Sequence, residues 1–294
     1  MPTPDQRLKA DLLMFLVTVC AAAGWIFSTE ALAGMPPLLF IASRFALGGA
    51  LLAGVGWREL RAISLQGGLR AMLVGVLFGI AMSVWIMGLS VASHIGEGAF
   101  ISALGLVLVP VLGRLFFGER PPRSTWLAIP TALTGFACLS LAQGFQFEPG
   151  QWWFLAAALC FALVFITNSH VVRQVPVLAL GAIQLSMVAV VALPLSLLFE
   201  SWPDTLSADV AGWVLASTLI GTTLRFFLQL SAQGLTSPSH AVVILMLEPV
   251  WTAMLAAVWL GESMRTVQFV GCALIFASLL ISRWSVIRGL LGGR

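Results

Sequence analysis

Charge is what this sequence has least of. Acidic and basic residues together make up 9% of the 294 positions, against about a quarter in a soluble domain. Lysine occurs once, at Lys9, and the fifteen basic residues form no cluster able to track a phosphate backbone, which argues against nucleic acid as a partner. The four cysteines, Cys20, Cys138, Cys160 and Cys272, each fall within an apolar run. Their spacing suits neither a metal site nor a disulfide framework, so small buried side chains are expected. His94, His170 and His240 sit at the ends of apolar runs, where solvation accounts for them and proton coupling is the alternative. There is no His/Cys/acid cluster, no Ser/His/Asp arrangement and no phosphate-cradling glycine loop. The sequence is therefore read as having no cofactor or metal and as not being an enzyme, an intramembrane enzyme being the weaker alternative.

Hydrophobic residues fill the space left by charge, at 60% of the chain with a mean hydropathy of +1.01. A membrane helix needs about 20 mostly apolar residues. Segments of that length lie near 10–33, 36–56, 70–91, 97–117, 124–142, 152–169, 178–199, 209–232, 239–260 and 266–284. The first follows Arg7 and Lys9 in the manner of a signal peptide, but it is too long for a signal core and is read as a retained span. Short links such as "GMPP", "GERPPRS" and "GLTSPS" leave no room for a soluble domain. With the N-terminus inside, the inner segments hold Arg7, Lys9, Arg58, Arg61, Arg70, Arg114, Arg120, Arg123, Arg173, Arg283, Arg288 and Arg294, twelve of the fifteen basic residues. Arg265 alone falls outside, and Arg44 and Arg225 lie within spans. Both termini are accordingly expected in the cytoplasm.

An internal repeat is also present. Gly118-Glu119 and Gly261-Glu262 each close a span at an offset of 143 residues, and Gly75 and Gly79 correspond to Ser217 and Gly221 at an offset of 142. The small residues let helix backbones approach closely in lipid. Five spans per copy is an odd number, so the second copy runs inverted. Many secondary transporters are built this way, with substrate near the midplane between the halves; channels can share the design. The expected fold is an all-α integral membrane protein of ten transmembrane helices in two inverted five-helix repeats, 1–145 and 146–294.

The ten-span layout and the motif "LEPVWTAMLAAVWLGE", Leu247 to Glu262, resemble the EamA-type branch of the drug/metabolite transporter superfamily, within which the chain is most similar to the bacterial YddG exporters. The resemblance covers the whole chain. It implies export of aromatic and other neutral amino acids across a bacterial inner membrane by a multi-pass protein, with a multidrug or metabolite exporter or an uncoupled channel-like facilitator as alternatives. The partners implied are small-molecule substrate and membrane lipid; a monomer is compatible with it. One departure is plain: Glu248-Pro249 falls opposite Gly105-Leu106, and the first half has its proline about one turn later, at Pro110. Any role of Glu248 is thus asymmetric.

Ionisable groups inside spans are costly and become candidates by default. Arg225 lies about 24 Å below the outer end of its span, with Gln229 four residues on. It would hold a substrate carboxylate, pair with Glu248 or snorkel toward water. Arg44, about 12 Å below the outer end of its span, would anchor to Glu30 or to free carbonyls, or touch substrate. Phe78, Met82 and Trp85 recur on one helix face, which with Trp25 and Met246 would line an apolar pocket or simply pack. Asn168, Thr167 and Gln184 would supply neutral hydrogen bonds to substrate or between helices. Glu97 starts a span, where the helix N-terminus favours it. Pro249 cannot donate to the Leu245 carbonyl, so a kink is expected one turn before it, beside Glu248; Glu248, Pro249, Arg44 and Glu30 are the gating or coupling candidates.

Overall fold

The computed structural model describes residues 4–118, 123–142, 148–235, 244–282, 284 and 288, and all regular structure among them is helical. The elements in order are α1 (Pro4–Leu32), α2 (Pro37–Val55), α3 (Trp57–Ala62), α4 (Leu65–Ser90), α5 (Ile95–Phe117), α6 (Arg123–Ala142), α7 (Pro149–Val171), α8 (Val177–Phe199), α9 (Ala208–Ala216), a π-helical segment (Ser217–Leu224), α10 (Arg225–Leu235), α11 (Glu248–Trp259) and α12 (Thr266–Ser282). Seven stretches are long and apolar enough to cross a membrane: Leu8–Leu32, Pro37–Val55, Leu65–Ser90, Ile95–Phe116, Pro149–Val171, Val177–Phe199 and Ala208–Leu235. The other three expected spans correspond to α6, α11 and α12. Residues 239–243, the start of the expected ninth span, lie outside the described residues, as do His240 and Glu119.

The chain starts and stops its helices where its residue types require. Proline, with φ preset and no amide hydrogen to satisfy, opens α2 at Pro37 and α7 at Pro149, and Pro176 precedes α8. Ser64 Oγ accepts from the Gly67 amide at 3.1 Å to cap α4, and Ser207 Oγ accepts from the Val210 amide at 3.2 Å to cap α9. These two caps are 143 residues apart, the offset of the Gly-Glu pairs. Gly118 and Gly261, at φ of 67° and 66°, adopt the left-handed conformation that ends α5 and α11.

Three helices pack against their own repeat counterparts: α2 along α8, α6 along α12 and α5 against α11. Around these pairs α4 and α5 lie against α7, while α1 lies against the π segment, α10 and α11. Glycines allow the tightest of these approaches. A Cβ placed on Gly221 would meet the Gly24 Cα at 3.0 Å, and one on Gly75 would meet the Met187 Cβ at 2.7 Å. Large apolar side chains such as Leu73, Leu198 and Val258 remain exposed, as suits a protein whose solvent is lipid. Of the cysteines, Cys272 is buried, whereas Cys20, Cys138 and Cys160 are half-buried and all four are free.

Carboxylates tie the halves together. Glu200, just after α8, accepts from the Leu38 and Leu39 amides at the start of α2, at 2.7 and 2.9 Å. Glu59, in α3 just after α2, accepts from the Leu178 and Ala179 amides at the start of α8, at 3.1 and 3.3 Å. Each half thus caps the other at sites 141 residues apart. Glu262, after α11, does the same for α5 through the Ile95 and Gly96 amides, at 2.8 and 3.3 Å. Glu97, buried at the start of α5, accepts from the side chains of Gln151 on α7 and Gln268 on α12, adding interhelical bonds to the favourable position expected for it. A helix N-terminus presents amide donors without intrahelical partners and a partial positive charge, so an anionic acceptor there satisfies both.

Two outcomes follow. Glu200→Ala strips both acceptors from α2 and should lower stability by roughly 1–3 kcal/mol, read as a fall in the melting temperature of the purified protein. Gly24→Val forces α1 off the π segment and should cost about 1–3 kcal/mol in the same assay; an unchanged melting temperature would refute the close approach.

Candidate functional site

Between the two halves lies a cavity of about 160 Å³. Its walls come from α1 (Ala21, Gly24, Trp25), α2 (Arg44), α4 (Phe78, Met82, Trp85), α5 (Ser102 and its small neighbours), α7 (Phe161 to Asn168), the π segment and α10 (Gly221, Arg225, Phe226, Gln229) and the start of α11 (Glu248, Pro249). Ten of the sequence candidates therefore meet at one place. Gln184, Met246 and Glu30 do not line it. Gln184 is fully buried on α8 and donates to Asn168 Oδ1 at 3.0 Å, while Asn168 donates to Gln233 Oε1 at 3.4 Å, a chain of bonds joining α8, α7 and α10. Met246 packs into a separate apolar cluster with Met14 and Val17. Glu30 accepts from Trp259 Nε1 at 2.9 Å at the end of α1, leaving Arg44 to other partners. Thr167 spends its hydroxyl on the Leu163 and Val164 carbonyls.

The apolar wall is aromatic. Trp25 meets Trp85 edge-on at 4.8 Å between ring centroids, and Phe78 stacks on Phe226 at 5.2 Å and meets Phe45 edge-on at 5.7 Å. Such pairs are worth about 0.5–1.5 kcal/mol each beyond area burial and hold the rings in fixed orientations. Phe78, Met82 and Trp85, each 5% exposed, all reach the cavity, so the stripe on α4 packs and lines it at once.

The polar groups are few and placed. Arg225 Nη2 stands 3.6 Å from Glu248 Oε2, and Trp25 Nε1 donates to Glu248 Oε1 at 3.3 Å. The Glu248 carboxylate is thus shared by α1 and α10. Arg225 Nε, Gln229 Oε1 and Ser102 Oγ are buried without hydrogen-bond partners. Arg44 donates through Nη1 to Ser28 Oγ at 2.8 Å and to Ser217 Oγ at 3.0 Å, which replaces the expected anchor on Glu30 or on carbonyls.

Local chain breaks set these positions. Ile244 and Leu245 are helical and Met246–Leu247 form a turn just ahead of α11, beside Pro249, which has no amide hydrogen to donate to the Leu245 carbonyl. The break brings Glu248 to the start of α11. By contrast, α5 runs through Pro110 unbroken. On the facing wall the π segment carries Ser217 to Arg44 and Gly221 to Gly24, with Thr222 Oγ1 donating to the Ser217 carbonyl five residues back at 2.9 Å. The sequence reading missed this segment and Ser102. The only signal was the run of small and hydroxyl residues in "STLIGTTL", which a span does not need for solubility in lipid.

Comparison with known proteins agrees with this geometry. The chain is 25% identical over 278 residues, 94% of its length and 86% of the relative's, to an uncharacterized transporter of Archaeoglobus fulgidus. A second uncharacterized transporter of that organism is 21% identical over 210 residues, covering 67% of this chain and 75% of the relative. A solved crystal structure shares the fold with a TM-score of 0.68 at 20% identity, over 93% of this chain and 97% of that one. The sequence model of the EamA-like transporter family matches twice, at residues 8–141 and 148–284, one match for each half. A multi-pass helical chain made of two such halves, closed around a cavity, belongs to the EamA-like transporter family.

Proposed function

We propose that the protein is a secondary transporter that exports aromatic and other neutral amino acids from the cytoplasm by alternating access. It would cross a bacterial inner membrane ten times as two inverted five-helix repeats, with both termini in the cytoplasm. The observation that carries the reading is the cavity between the halves, with aromatic walls and a small polar set of Arg44, Arg225, Gln229, Asn168 and Glu248. Rigid rings accept an aromatic side chain, and the guanidinium of Arg225 offers a carboxylate contact of the bidentate kind. Glu248 and the ring faces attract the substrate ammonium group. Glu248, Pro249, Arg44 and Glu30 are the proposed gating or coupling groups. Pro249 marks the break at which α11 can pivot, and Glu30 accepts from Trp259, tying the end of α1 to the end of α11. Substrate shifts the populations of the two access states by binding one of them better. The similarity of the quoted motif to the YddG exporters supports the choice of substrate.

Counterflow in proteoliposomes tests this. Labelled phenylalanine or tryptophan should exchange against unlabelled amino acid with saturation. Flux that is linear in concentration and indifferent to competitors would show a channel-like facilitator, and no amino-acid flux would point to another metabolite or drug. Arg225→Ala should lower exchange about tenfold or more, the loss of one charge-assisted hydrogen bond, while the variant still inserts and elutes as wild type. Unchanged exchange would remove Arg225 from the site.

A further inference from the structure

Resting on that reading of the cavity, we propose that Arg44 is a second ligand-binding group, and that it selects molecules bearing a free carboxylate. Arg44 is 4% exposed and lines the cavity. Its partners among the described residues are all neutral: the Ser28 and Ser217 hydroxyls on Nη1, and the faces of Phe40 and Phe45, whose centroids lie 5.2 and 5.0 Å from the guanidinium carbon. The ion pair at the cavity belongs to Arg225 and Glu248. Among the described lining residues the cavity therefore holds two permanent cations and one carboxylate.

A guanidinium does not lose its proton to escape burial, and an uncompensated charge in a low-dielectric interior is strongly unfavourable. The two serines and the rings fix the group without neutralising it. Nη1 is committed to the serines, and Nε is buried with no partner. That leaves the Nε–Nη2 edge, two parallel donors with the spacing of the two oxygens of a carboxylate. Arg44 sits seven residues into α2, about 10 Å along it. Ser217 opens the π segment, so a ligand on Arg44 also bears on the irregular turn that leads to Arg225. A molecule with a carboxylate and an apolar body completes the charge balance; the same molecule with its carboxylate converted to an amide does not.

Binding to the purified full-length protein, measured by calorimetry, tests this with L-phenylalanine, 3-phenylpropionate, L-phenylalaninamide, and the pair benzoate and benzamide. The acids should bind at least tenfold more tightly than the matching amides. Arg44→Gln should reduce that preference, leaving what Arg225 supplies, by weakening the acids about tenfold or more while leaving the amides unchanged, and Arg44→Lys should restore part of it. Equal binding of acids and amides by wild type, which requires no variant, would overturn the proposal, as would a loss in Arg44→Gln shared equally by both. Phenylalanine binding that ignores Arg44 would retain the amino-acid reading and overturn this one. Benzoate binding that depends on Arg44, without phenylalanine binding, would do the reverse. If no acid binds, the carboxylate proposal is overturned.

Discussion

Amide donors at the start of a helix lack intrahelical partners, and in this fold carboxylates of the opposite half supply them at three helix starts. An anionic acceptor there also meets the partial positive charge of the helix N-terminus. In this chain the donors of α2, α5 and α8 are met by Glu200, Glu262 and Glu59, each of which follows a helix of the other half. The arrangement is reciprocal between α2 and α8, which among the described residues pack along each other as extensively as α6 and α12 do. Docking of the repeats thus supplies acceptors to the starts of α2, α5 and α8, while α4 and α9 are capped by serines of their own halves.

That constraint gives the cavity its character. Because the counterparts α2 and α8, α5 and α11, and α6 and α12 pack on each other, the remaining helices α1, α4 and α7 and the π segment face across the interior. The two copies then diverge at two places. Glu248-Pro249 breaks its helix where α5 continues through Pro110, and the π segment widens the counterpart of the regular α4. Both irregularities put backbone or polar side chains against the cavity, the situation in which a membrane protein tolerates them. The symmetric caps hold the frame, and the asymmetric breaks place Arg225 and Glu248, while Arg44 comes from the regular α2.

Much of this was legible in the sequence because it is written in periodicity and spacing. The 143-residue offset of the Gly-Glu pairs marks Gly118 and Gly261, which adopt matching left-handed conformations. Pro249 announced the interruption at Met246–Leu247. Intramembrane charge singled out Arg44, Arg225 and Glu248. What remained hidden depends on which way a side chain turns. Helices that are apolar all round have no polar face to orient them, so Gln184 was not distinguishable from Asn168 as a cavity residue, and Met246 not from its neighbours. The tie between Trp25 and Glu248 spans 223 residues and leaves no local pattern. Nor did the acid of Gly261-Glu262 reveal that its partner is the start of α5 in the opposite half.

Ser102 offers the most direct check that the cavity between the halves is where ligand binds, since it lines that space and its hydroxyl has no partner. Ser102→Cys, in a background with the four native cysteines replaced, can be labelled in proteoliposomes with a membrane-permeant maleimide. Saturating phenylalanine should slow the labelling several-fold, with half-protection at the concentration that half-saturates exchange. A rate indifferent to phenylalanine in a variant that still exchanges it would place the substrate path elsewhere.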